Sequence, residues 1–235
     1  MSTGLGGGGD ALAEKTARIL LDTRSVYVRA AGEPFFFTSG WASPVFVDCK
    51  RLISFPLARR TLIELAIERI LSTVGFASFD AVAGGELAGV PFAAMIADRL
   101  HLPLLIVRKQ AKGFGRLAQL EGDVAEGQRV LLVEDLTTDG RTKANFCMAL
   151  QRAGMSVSHA FVVFKYGIFD RVVRDLDGLG VELFSLATLF DVLAHPRVGE
   201  AFGAAELAEL TAFARDPADW SARHGGIGAE AVMSA

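Results

Sequence analysis

Apolar residues recur along this chain with two different periods, and the places where one gives way to the other outline a fold. From Ala11 to about Arg29, the positions Leu12, Ile19, Leu20 and Val26 fall at roughly helical spacing, which predicts a first amphipathic helix lying as a flap on the main core. Residues 34–52 read PFFFTSGWASPVFVDCKRL. Two aromatic or β-branched runs there flank Ser39, Gly40 and Ser43, a hairpin signal in which Pro44 suits a strand start. Pro56 then opens a helix whose apolar positions Ile63, Ala66, Ile67, Ile70, Leu71 and Val74 keep i, i+3, i+4 spacing until Gly75 ends it.

Beyond residue 79 the pattern changes. Strand-like DAVAG (80–84), PLLIV (103–107), RVLLVE (129–134), HAFVVF (159–164) and VELFSLA (181–187) alternate with helix-like VPFAAMIADRL (90–100) and TKANFCMALQRA (142–153). The strands are unbroken apolar runs, as expected when helices bury both faces of a parallel sheet. The class is α/β. The expected organisation is a glycine-rich disordered tail (1–10), an N-terminal helix and hairpin hood (11–55), a core (56–215) with helical pieces near Leu189 and over 204–215, and a weakly packed C-terminal tail (216–235).

Composition narrows the partners. A chain of 235 residues that is 51% hydrophobic buries a full core. A net charge of −3 leaves no basic excess for nucleic acid. Mean hydropathy is +0.36, yet Glu86, Asp98, Arg99 and His101 interrupt the richest apolar stretch, which falls short of the roughly 18 uncharged residues of a membrane span. With no apolar signal segment at residues 1–10, a cytoplasmic location is expected. Cys49 and Cys147 stand alone, and His101, His159, His195 and His224 are scattered, so neither a zinc site nor a catalytic triad is indicated.

The most informative stretch is VLLVEDLTTDGRT, residues 130–142. A buried-type strand delivers Glu134 and Asp135 to its carboxyl end, where ligands bind in open α/β sheets, and two carboxylates there can accept hydrogen bonds from vicinal sugar hydroxyls. Leu136, Thr137, Thr138, Asp139, Gly140, Arg141 and Thr142 then supply hydroxyls, backbone N–H groups and a glycine at a helix start, which suits a monophosphate. Two acids after a strand also occur at an ordinary surface turn with a helix cap. No Gly-Lys-Ser/Thr exists for a Walker loop, and Glu86 breaks the GxGxxG pattern in GGELAG (84–89).

This string resembles the binding signature for phosphoribosyl pyrophosphate (PRPP) of type I phosphoribosyltransferases. The segment TSGWASPVFVDCKRL (38–52) resembles the SGxxSPxYxD hairpin particular to orotate phosphoribosyltransferases, and AGGELAGVPFAAMIADRLHLPLLIVRK matches that family's glycine turn, helix and strand. The resemblance implies transfer of ribose-5-phosphate from PRPP to orotate in pyrimidine synthesis. It further implies Mg²⁺ held mainly by PRPP, a homodimer, residues 84–89 wrapping the pyrophosphate, and Thr138 with the backbone of Phe46 and Val47 positioning the pyrimidine.

The basic run RKQAKGFGR (108–116) would on its own be a solvated turn. Under the resemblance it is a mobile loop whose Arg108, Lys109 and Lys112 neutralise the leaving pyrophosphate, alongside Asp135 at the reacting centre. The chain departs from many relatives at Phe114, where they have histidine, at Asp139, where a small residue is usual, and at Thr38 and Ala88, where some have lysine. Some also carry an orotate-contacting arginine near Tyr166. A non-catalytic PRPP or nucleotide sensor, or a transferase for another base, is the alternative reading.

Overall fold

A computed structural model of the chain describes residues 10–113, 115, 118–123, 125–138, 140–169 and 175–228. Its centre is a six-stranded sheet in the order β10-β9-β8-β5-β6-β7. These strands are β5 (Ala81–Gly85), β6 (Leu104–Val107), β7 (Leu120–Glu121), β8 (Arg129–Thr137), β9 (Ser156–Lys165) and β10 (Glu182–Thr188). All neighbours run parallel except β7, which returns antiparallel on β6 at the edge.

The chain leaves β5 outward through α3 (Gly89–Leu100) to β6, and leaves β8 in the opposite direction through α4 (Arg141–Arg152) to β9. Crossovers of one hand therefore place α3 and α4 on opposite faces and make the β5/β8 boundary the point where strand order reverses. Register deepens that notch. The β5 pairing with β8 ends at Gly84↔Val133, whereas β8 continues along β9 to Thr137↔Lys165. Val130, Leu131, Leu132 and Val133 are all buried, as a two-sided strand requires.

The first helix is shorter and more deeply placed than its spacing predicts. α1 (Ala11–Asp22) is capped by Asp10, and Arg24 at φ 52° turns the chain out of the helix. Val26, read as a helical position, instead begins β1 (Val26–Val28), whose Val-Tyr-Val alternation pairs antiparallel with β4 (Val45–Val47). Two β-branched residues around an exposed aromatic favour a strand over one more helical turn. Nor is α1 a flap: Ala13, Ala17 and Leu20 are buried where it packs on β10 and on α5 (Leu189–Ala194).

The hood hairpin is formed by β2 (Phe35–Phe36) and β3 (Ala42–Ser43), followed by β4, a 3-10 turn (Cys49–Ser54) and α2 (Pro56–Thr73). Past β10 come α5, α6 (Val198–Ala201), α7 (Ala204–Arg215) and α8 (Pro217–Arg223). The last helix corrects the expectation of a weakly packed tail, as far as Gly228. Trp220 is buried edge-on to Phe213 and its indole N–H donates to Glu209 at 2.8 Å. Ser221 accepts the N–H of Ala42 at 3.0 Å, and Ile227 N–H reaches the carbonyl of Gly40. Asp216 as N-cap with Pro217 at the first position was the available signal. Of the expected disordered tail (1–10), residues 1–9 lie outside the described residues, as do 229–235, while Asp10 caps α1.

Candidate active site

Strand alternation separates the two acids that the sequence presents as a pair. Glu134 turns to the α4 face, where its Oε2 accepts from the Lys143 ammonium at 2.9 Å and its Oε1 lies against Gly85 and Gly89. Asp135 turns to the other face, toward Cys49 and Lys50 of the 3-10 turn, and its Oδ1 accepts the N–H of Leu136 at 2.8 Å. Each is only 5% exposed. Burial pushes both carboxyls above their ordinary values, and the Lys143 charge pulls both part of the way back.

Close packing explains the glycines around them. A Cβ at Gly85 would meet the Phe146 ring at 2.4 Å, and one at Gly89 would sit 2.5 Å from the carbonyl of Val133 and 2.6 Å from Glu134 Oε1. No larger residue fits between β5, β8 and α4 there.

Two helices open on this notch without a side-chain cap. α3 begins after Ala88 and α4 after Gly140, which takes φ 78°, whereas α1, α5 and α8 are each capped by an Asp or Thr side chain. The positive ends of two helix dipoles therefore face one crevice, an arrangement for anions. Around it, Thr137 is fully buried, its hydroxyl lacking a hydrogen-bond partner among the described residues. Leu136, Thr138 and Thr142 are half-buried, and Arg141 is exposed on the first turn of α4. Asp139, Phe114 and Arg116 lie outside the described residues.

The basic segment leaves β6 beside the same opening. Glu86 donates its N–H to the carbonyl of Val107, and its carboxylate accepts the N–H of Lys109 at 2.9 Å, while Asn145 on α4 donates to the Lys109 carbonyl at 3.0 Å. The Arg108 guanidinium turns to Glu121 on β7, with Nε 2.9 Å from Oε1. The Lys109 and Lys112 side chains are exposed, and a cavity of about 470 Å³ is lined by Glu86, Leu87, Arg108, Lys109 and Lys112. A larger cleft of about 730 Å³ lies elsewhere, between β1 and α6, and touches none of these strand ends.

The residues expected to meet a pyrimidine are divided as well. Val47 is buried and its N–H donates to the hydroxyl of Tyr166 at 3.2 Å, so that amide is already engaged. Phe46 faces outward, its ring 6.3 Å from Tyr27 and 5.7 Å from Phe35. Sequence reasoning missed Lys143 and Asn145 and gave no role to the side chains of Glu86 and Tyr166. Lys143 could have been found as a cation on the buried side of α4, three residues past Gly140.

A doubly wound sheet with a notch at its reversal point is an architecture that places ligands at the strand ends, and residues 55–177 match the phosphoribosyl transferase domain family. An orotate phosphoribosyltransferase of Cereibacter sphaeroides is 49% identical over 209 residues, 89% of this chain and 90% of that protein. The chain belongs to the orotate phosphoribosyltransferase family. Among solved structures, orotate phosphoribosyltransferase from Aeropyrum pernix aligns with TM-score 0.65 and 31% identity over 76% of this chain and 96% of its own. UMP synthase of Leishmania donovani aligns with TM-score 0.74 and 27% identity over 86% of this chain, which spans 42% of that longer protein.

Proposed function

We propose that this chain transfers the 5-phosphoribosyl group of PRPP to orotate, forming orotidine 5′-monophosphate and pyrophosphate in pyrimidine synthesis. The observation that carries the reading is the pair of uncapped helix N-termini flanking β8. One, at α4, suits the 5′-phosphate, and the other, at α3 beside the basic segment, suits the pyrophosphate. Asp135, between them on β8, suits the ribose hydroxyls.

Breaking the bond from C1 to pyrophosphate leaves oxocarbenium character on the ribose and negative charge on the departing group. Lys109 and Lys112 then supply fixed cations for that charge, and Arg108 joins them by leaving Glu121. Closure of the loop excludes water from the cationic ribose. The ring nitrogen of orotate gives up its proton to the departing pyrophosphate or solvent and bonds to C1 as the bond from C1 to pyrophosphate breaks, and Thr138 with the Phe46 main chain holds the ring.

Among the described residues no cluster of three or more His, Cys, Asp or Glu is placed to hold a metal ion. Glu134 is paired with Lys143, and Asp135 accepts the N–H of Leu136 through one oxygen. That donor set does not cage a metal, so Mg²⁺ is taken to arrive on the oxygens of PRPP, where it neutralises diphosphate charge. The proposal includes a cytoplasmic homodimer with the basic loop near the partner subunit. No described helix is long and apolar enough to cross a membrane. Purified protein with orotate, PRPP and Mg²⁺ should show loss of orotate absorbance with formation of orotidine 5′-monophosphate, and no such loss would refute the reading.

A further inference from the structure

A buried lysine sits on the first turn of α4. The Lys143 and Glu134 side chains are 9% and 7% exposed, and their 2.9 Å pair lies directly beneath the crevice. The second carboxylate oxygen, Oε1, is wedged into the space that a Cβ on Gly85 or Gly89 would take, with the backbone N–H of Gly89 turned to the carboxylate.

Glu134 thus joins three walls of the site: the end of β5, the first residue of α3 and the first turn of α4. A carboxylate enclosed in this way is strongly disfavoured unless a cation accompanies it. Lys143 supplies that cation from α4. The other charged or titratable groups facing the pair are Asp135, next along β8, with Lys50 and Cys49 of the 3-10 turn beyond it. From β5 and α3 the neighbours are the glycine backbones.

We infer that Lys143 is a positioning residue for PRPP. Its ammonium balances the charge of Glu134, which sits between Gly85 and Gly89, and this balanced seat fixes the spacing of the two helix N-termini that receive the phosphates. Lys143 itself does not touch substrate. The inference rests on the proposed PRPP chemistry and adds to it a residue outside the strand-end motif.

The test compares Lys143→Met, and the double variant Glu134→Gln/Lys143→Met, with the native enzyme, reading KM for PRPP, kcat and a calorimetric Kd for PRPP with Mg²⁺. Lys143→Met should raise KM and Kd for PRPP about tenfold or more while kcat falls less than about threefold. The defect should grow as pH rises, because burial disfavours the charged form of the carboxyl and only that form needs the missing cation. The double variant carries neither charge, and it should return KM to within about threefold of native and lose the pH difference.

A Lys143→Met KM within about twofold of native and flat with pH would overturn the inference. So would a defect that persists undiminished in the double variant, since Lys143 would then contact PRPP directly. If Lys143→Met does not fold, the double variant decides alone, its KM or Kd near native supporting the inference and a rise of about tenfold overturning it. Native enzyme that bound PRPP yet formed no orotidine 5′-monophosphate would refute the proposed function and leave the Kd comparison standing.

Discussion

The hydroxyl of Tyr166, at the end of β9, accepts the N–H of Val47 on β4 at 3.2 Å and lies 3.4 Å from the carbonyl of Val45. One phenol, fully buried and edge-on to Phe37 and Phe164, therefore ties the hood strand to the sheet that carries the phosphate site. Burial raises its pKa well above the ordinary value, so it stays a neutral partner throughout the working range.

Tyr166→Phe keeps the ring and strands a buried amide. It should lower stability by about 1–3 kcal/mol, the penalty of an unsatisfied buried donor. Steady-state kinetics should show a higher KM for orotate with KM for PRPP unchanged, because the displaced element is β4. An equal rise in both constants would place the effect in the core instead.

Gly89→Ala puts a methyl group against the Val133 carbonyl and Glu134 Oε1, both closer than real Cβ contacts allow. Movement of α3 is the only relief that keeps β8 in register. Thermal denaturation should show a loss of about 1–3 kcal/mol for overpacking, and PRPP binding should weaken more than orotate binding.

Much of this architecture was legible in the sequence, since buried parallel strands declare themselves as unbroken apolar runs. Val130, Leu131, Leu132 and Val133 predicted β8, and Pro56 with Gly75 bracketed α2 to within two residues. What was not legible depended on faces and partners. Glu134 and Asp135 are adjacent in sequence but opposite in space, a consequence of strand alternation that the motif as a string conceals. Lys143 lies in a helix-like run, and nothing in that string places it beside Glu134. Trp220 lay in a polar segment whose packing against Phe213 and Ala42 is nonlocal, and composition carries no trace of such contacts.

Ser221→Ala removes the acceptor for the buried Ala42 N–H at the hood hairpin. A loss of about 1–3 kcal/mol in denaturant unfolding is expected from the stranded donor, with the kinetics of PRPP use little changed. Unaltered stability would show that the C-terminal helix does not hold the hairpin.

Burial raises the Glu134 carboxyl above its ordinary value of 4.5, with Lys143 opposing. A group that holds its proton more tightly folded than unfolded reduces stability as pH climbs from the unfolded value through the folded one. In Glu134→Gln that contribution is gone. The melting temperature of Glu134→Gln relative to native should therefore rise as pH increases from about 4.5 through the raised value. A difference that falls across that window would reverse the assigned sign.

The central claim is that the notch between β5 and β8, with the basic segment beside it, receives PRPP. Titration calorimetry of the native protein with PRPP and Mg²⁺ tests this most directly, set beside a Lys109→Ala/Lys112→Ala variant. Saturable uptake of one PRPP per chain, weakened about tenfold or more in the variant, is the predicted result. No uptake by the native protein, or equal uptake by both, would contradict it.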